Sequence, residues 1–293
     1  MVSFVKHTLI SIILLSSAVV IYQILSGYEF SIPKINPYTL IIAIAVFIIS
    51  CLVTIPVYKY SLDVFNCKPP IATVISMAFI PQAGKYIPSS AFLYAGLLWY
   101  LKKVGFTVKK SLFFLFFLQV LTIFISMILA LLIILSSEQY SAYLILPLIF
   151  IVLLFMFFSS RSKFKGTNVA SFIVSSKRIF LVVIMLGLQV ILTGLAYYFL
   201  LLSLTEVPFN IVPKVILANS LAIISGILAF FAPGGIGVKE GVLFYFMNEE
   251  VHSNNIVIVS VVFFRILMIL MDVLLAFLAY LFFHNKVGLP NEK

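Results

Sequence analysis

Six stretches of this chain are apolar over a length that can cross a lipid bilayer: residues 8–26, 38–58, 111–135, 142–158, 179–203 and 256–283. A crossing needs about 20 such residues. In hydrocarbon the backbone has no water to bond, so a crossing must be a helix that pairs its own N–H and C=O groups, or a closed barrel. Continuous apolar runs of this length predict helices, and the chain reads as an all-α polytopic membrane protein. The composition, 63% hydrophobic and 10% charged, excludes an ordinary soluble domain. Residues 8–26 are long for the core of a secretion signal. Their exit, Ser26-Gly27-Tyr28-Glu29, lacks an Ala-x-Ala cleavage site, so an uncleaved first span is expected. The last stretch exceeds the bilayer thickness and is expected to tilt or project.

Two further apolar regions, 71–100 and 215–248, are interrupted near their middle. The first carries Pro81, Gly84 and Pro88; the second carries Pro233, Gly234, Gly235 and Gly237. Proline removes a helical donor and glycine permits sharp turns. Both regions are predicted to be helix–break–helix hairpins that enter and leave on one side. The expected fold is about six transmembrane helices plus two oppositely oriented re-entrant hairpins. It forms a single domain over 1–293, with one half at about 1–158 and the other at about 179–293. Opposite hairpins in corresponding places are the arrangement of an inverted repeat.

Charge placement orients the chain. With the N-terminus inside, Lys6, Lys59, Lys68, Lys102, Lys103, Lys109, Lys110, Arg161, Lys163, Lys165, Lys177, Arg178, Lys286 and Lys293 all fall on the cytoplasmic side. Only Lys34 and Lys214 fall outside. This asymmetry predicts cytoplasmic termini and accounts for the net charge of +10 without a nucleic-acid partner. The basic 159–178 loop is read as an orienting segment that also attracts anionic headgroups. Trp99 and Tyr100, before Lys102 and Lys103, read as an interfacial anchor.

The segment Phe231-Ala-Pro-Gly-Gly-Ile-Gly-Val-Lys-Glu-Gly241 joins a helix break to charge. Charge at membrane depth is costly and usually faces a cavity or pathway. A helix starting near Val238 would aim free N–H groups at the turn, and Lys239 adds positive charge, an environment suited to phosphate. The alternative is a tight glycine turn for helix packing, with Glu240 complementing the helix dipole. Arg265 and Asp272 are seven residues apart in the last span, about 10 Å along the axis, too far to pair directly. Glu240 is the expected partner of Arg265, as a structural pair, a substrate-binding pair or both. Lys85 either meets an anionic headgroup in the first hairpin or snorkels to the interface. The candidate substrate-binding residues are thus Lys85, Gly234, Gly235, Gly237, Lys239, Glu240, Arg265 and Asp272.

Other chemistries find little support. Glu240 follows Lys239 where a nucleotide-binding loop needs Ser or Thr, and Gly235, Gly237 and Gly241 miss the dinucleotide spacing. Cys51 and Cys67 make neither a disulfide framework nor a CxxC pair, and His7, His252 and His284 are scattered. No catalytic constellation is recognisable. The expectation is a protein that is not an enzyme and uses no cofactor or metal.

The run Ala-Pro-Gly-Gly-Ile-Gly-Val-Lys-Glu-Gly, 232–241, resembles the Pro-Gly-Gly-x-Gly-x-Arg/Lys-Glu-Gly signature of the transmembrane region of lysylphosphatidylglycerol synthase/flippase proteins. Arg265 is similar to the arginine that family carries in the following span. The region from Pro81 to Gly105, ending Leu-Lys-Lys-Val-Gly, resembles its earlier Pro/Gly element and basic turn. Gln82-Ala83 departs from the family's glycine-rich pair. Two-part members join a flipping domain to a cytosolic aminoacyl transferase, which is not expected within these 293 residues. The resemblance implies a stand-alone flippase-like protein that moves an anionic phospholipid or a polyprenyl-linked glycan across a bacterial or archaeal cytoplasmic membrane. The alternative is a non-transporting scaffold for a glycosyltransferase or lipid-modifying enzyme, either of which is also a possible partner.

Overall fold

A computed structural model describes residues 33–86, 91–135, 176–229 and 232–283. The expected crossings 8–26 and 142–158, and most of the 159–178 loop, lie outside them. The described residues form eight α-helices joined by turns and short 3₁₀ segments, with no strand among them. In chain order these are α1 (Pro37–Val64), α2 (Ile71–Phe79), α3 (Ala91–Lys103), α4 (Val108–Leu135), α5 (Ser176–Leu204), α6 (Val212–Leu228), α7 (Val238–Val251) and α8 (Asn254–Phe283).

Among the described residues, five helical stretches are long and apolar enough to cross a membrane. Four of them, α1, α4, α5 and α8, coincide with expected crossings. The fifth is Phe209–Leu228, which the sequence pattern assigned to one arm of a hairpin. Pro213 does not shorten it, because proline in the first turn displaces no intrahelical bond. The break comes only after Leu228. The outward faces carry exposed Ile, Leu and Phe, including Leu270, Phe277 and Leu281 of α8. In water such a surface would aggregate; in lipid it is ordinary. The protein is a multi-pass membrane protein.

α1 and α5 pack antiparallel along their whole length. Asn36 N–H bonds the Ser203 carbonyl at one end, Ser50 Oγ lies 2.7 Å from Thr193 Oγ1 in the middle, and Arg178 donates to the Asp63 carbonyl at the other end. Around this pair each remaining long helix crosses to the other half. α4 packs on α6, and α8 packs on α2 and on the 3₁₀ segment Ile80–Tyr86. The core forms two clusters. One surrounds Phe65, whose ring meets Phe106, Phe113, Phe114 and Phe117. The other surrounds Tyr197 and Phe264, with ring centroids 5.0 Å apart.

The basic segments gather at one face. Lys110 Nζ bonds the Phe65 carbonyl at 3.2 Å, Arg178 reaches Asp63, and the Cys67 thiol lies 3.5 Å from the Val104 carbonyl. Burial pushes the Cys67 thiol above its ordinary range. The Cys67–Val104 contact also ties the residues before α2 to those after α3. At the other face, Lys214 near the start of α6 lies 2.5 Å from Glu250 near the end of α7. Cys67 and Val104 thus meet at one face, and Lys214 and Glu250 at the other.

Candidate functional site: a charged cavity where the two breaks meet

In the first break the chain tightens to a 3₁₀ segment over Ile80–Tyr86. Gly84 and Gly96 bring this segment onto α3. A Cβ on Gly84 would stand 3.0 Å from the backbone of Phe92 and Leu93, and one on Gly96 would stand 3.1 Å from Pro81. The segment ends by presenting Lys85 and Tyr86 to α8.

The second break uses left-handed backbone, with φ of +61° at Gly234, +70° at Gly235 and +85° at Gly237. Side chains with a Cβ disfavour that region by about 1–2 kcal/mol, which is why three glycines cluster here. The turn restarts the chain as α7, with Lys239 and Glu240 in its first turn.

α8 supplies one charge to each break. Asp272 lies 2.5 Å from Lys85 Nζ and accepts a hydrogen bond from Tyr86 Oη. About two turns earlier on the same helix, Arg265 Nη1 lies 3.2 Å from Glu240 Oε1 and donates to the Gly234 carbonyl at 3.2 Å. Its guanidinium stands 5.6 Å from the Tyr86 ring centre, linking the two breaks. Arg265 and Asp272 thus serve different partners, as their spacing required, and the Glu240–Arg265 pair is present. Both side chains of that pair are largely buried, at 21% and 12% exposure. Nε and Nη2 of Arg265, and Oε1 of Glu240, have no hydrogen-bond partner among the described residues. The contact is a Coulombic pair that keeps hydrogen-bonding capacity in reserve.

Unlike Lys85 and Arg265, Lys239 has no carboxylate within 4 Å and no hydrogen-bond partner among the described residues. Its stem lies in a groove floored by two glycines. A Cβ on Gly226 would fall 2.1 Å from Lys239 Cε, and one on Gly235 would fall 3.0 Å from it. Three cations, Lys85, Lys239 and Arg265, therefore face two carboxylates, Glu240 and Asp272, and the positive charge left over is that of Lys239.

Lys85, Lys239, Glu240 and Asp272 border a cavity of about 340 Å³. Gln82 and Lys85 of the first break reach it, as do Lys239 and Glu240 of the second and Asp272 of α8. The lining also includes neutral polar side chains, Ser50 and Thr54 from α1, Gln189 and Thr193 from α5, and Asn219 from α6, set among apolar ones such as Phe47, Leu186 and Phe264; we refer to these polar residues as the neutral wall.

The eight candidate residues hold different positions. Lys85, Lys239, Glu240 and Asp272 line the cavity. Arg265 and Gly234 stand directly behind them. Gly235 is buried beneath Lys239. Gly237 is exposed, and its N–H bonds Glu240 Oε2 at 2.7 Å. Glu240 therefore caps its own helix, bonding one of the N–H groups at the helix end that the sequence reading offered to an anion.

Sequence reasoning missed Tyr86, Gly226 and the neutral wall. The wall had a legible signal. Ser50 with Thr54 and Gln189 with Thr193 are polar pairs four residues apart within apolar spans, a spacing that puts each pair on one helix face. Gly226 had no such signal, because its neighbour Lys239 belongs to another helix. Comparison with protein-family models and with curated proteins finds no match to this chain.

Proposed function

We propose that this protein translocates a lipid with an anionic headgroup, a phospholipid or a polyprenyl-linked glycan lipid, across a bacterial or archaeal cytoplasmic membrane. The headgroup binds in the cavity between the two breaks. The observation that carries this reading is the unpartnered ammonium of Lys239 in a cavity that both breaks line. An unpaired charge at membrane depth is expensive. A phosphodiester would supply the missing negative charge.

In this reading the two broken elements are re-entrant hairpins of an inverted repeat, and both termini are cytoplasmic. Three features support it. α2 has nine residues, about 13 Å at 1.5 Å per residue, too short to cross. The ends of each element are tied at one face. The last long helix of each half packs on the broken element of the other. Binding at the meeting point of two broken helices is a recurrent arrangement in membrane transporters.

The scaffold reading requires breaks sealed by apolar packing. Here Gln82, Lys85, Lys239 and Glu240 instead open onto the cavity, which favours transport. The decisive experiment is reconstitution into liposomes containing fluorescent lipids of several headgroups, with outer-leaflet quenching over time. Faster quenching of anionic lipids than in protein-free liposomes is expected. Identical rates for every headgroup, with and without protein, would remove the transport reading.

A further inference from the structure

The neutral wall has no role in charge balance, yet its five polar side chains line the same cavity as Lys239. Much of its capacity is spent internally. Ser50 bonds Thr193 and the Gln189 carbonyl, Gln189 Nε2 donates to Thr54 at 2.9 Å, and Asn219 Nδ2 donates to the Val190 carbonyl at 3.1 Å. After these bonds, Gln189 Oε1 and Asn219 Oδ1 have no protein partner among the described residues. Asn219 is 3% exposed and borders the cavity. Each amide also keeps a second N–H. A buried side chain that offers one acceptor and one donor is the complement of a hydroxyl group.

Resting on the transport reading above, we infer that the neutral wall is a subsite for hydroxyl groups, so that the preferred substrate is a singly anionic phosphodiester lipid with a hydroxyl-bearing headgroup. The phosphate meets Lys239 and the hydroxyls meet Asn219 and Gln189. Charge argues against the two nearest competitors. A headgroup with an ammonium would bring a further positive charge beside Lys239, where no free carboxylate remains. A diphosphate would bring more negative charge than the one unpaired cation balances.

The test uses three short-chain lipids in detergent: phosphatidylglycerol, phosphatidylmethanol, which keeps the phosphodiester but has no hydroxyl, and phosphatidylethanolamine. Soluble glycerophosphoglycerol is the fourth ligand. Binding is read from thermal stabilisation of the full chain, and flipping is read in parallel with fluorescent lipids of the same three headgroups. Phosphatidylglycerol should bind about threefold to tenfold more tightly than phosphatidylmethanol, the value of one or two net hydrogen bonds. Phosphatidylethanolamine should bind least. Asn219→Ala should erase the preference for phosphatidylglycerol over phosphatidylmethanol, while Lys239→Gln should weaken both. Thr54→Val, which frees the Gln189 amide with little change of shape, gives a second variant should Asn219→Ala fail to fold, and it should alter the same ratio. Equal binding of phosphatidylglycerol and phosphatidylmethanol by the unaltered protein would overturn the hydroxyl subsite. Binding of the soluble compound as tight as that of the lipid would overturn its assignment to a lipid headgroup. Selective binding without any flipping would keep the subsite and remove the transport function instead.

Discussion

Lys239 is the residue whose surroundings say most about the site. Its charge is unbalanced, and its direction is set by two glycines on different segments. Gly226→Ala should therefore act on Lys239 without altering its chemistry. The added methyl would collide with the flexible stem, so the ammonium shifts while the helix remains a good one. Anionic-lipid binding should fall toward that of Lys239→Gln, with the melting temperature nearly unchanged. A variant that binds as tightly as the unaltered protein would show that the groove does not aim the lysine. Glu240 and Arg265 form the second residue-scale test. Removing one partner of a largely buried pair strands the other, at a cost of about 3–5 kcal/mol. Glu240→Leu and Arg265→Leu should each destabilise, and the double change should recover part of the loss. A double-mutant cycle on thermal stability should give a coupling of about 1–3 kcal/mol. Strict additivity would mean that Tyr86, the Gly234 carbonyl and the Gly237 N–H, not the ion pair, hold these side chains.

At the scale of the element, the two breaks achieve the same result by different means. The first is a 3₁₀ segment pressed against α3 by Gly84 and Gly96, and the second is a left-handed turn of three glycines. Gly84→Ala would force its Cβ onto backbone that cannot swing aside. It should cost about 1–3 kcal/mol, as overpacking does, and lower the yield of folded protein. Gly235→Val is a poor probe of lipid contact. The glycine is buried, has φ +70°, and faces the Gly226 Cα at 3.0 Å, so folding and function should fail together. A Gly235→Val protein with normal thermal stability and lost binding would instead point to direct backbone contact with the ligand. The first arm of the second element, Phe209–Leu228, is as long as a full crossing, while its counterpart α2 is not. The two broken elements thus differ in dimensions.

For the whole molecule, the antiparallel α1–α5 pair sets the relation of the halves. It puts the ends of α1 and α5 at opposite faces, and with them the starting points of the two broken elements. Single cysteines at Lys109 and Lys214 in a cysteine-free background should label from opposite sides of the membrane, Lys109 from the cytoplasm. Labelling of both from one side would break this topology. The native Cys51 and Cys67 have to be replaced first. α8 gives Asp272 to one break and Arg265 to the other, so any rearrangement of the halves must stretch one ion pair or move α8 as a unit.

How much of this was legible in the sequence follows from the range over which each force acts. Hydrophobic length is local, so α1, α4, α5 and α8 could be read directly from apolar runs. Proline and glycine act on their own backbone, so both breaks were visible. The cost of burying charge marked Lys85, Lys239, Glu240, Arg265 and Asp272 as residues needing partners, and elimination even named Glu240 for Arg265. The tertiary structure alone decided that Lys85 pairs with Asp272, that Tyr86 stands between the two ion pairs, and that Gly226 makes room for Lys239. It alone brought the polar pairs of α1 and α5 to face the charged breaks. Each of those depends on packing between separate helices, and the spacing of a sequence carries no distance between helices.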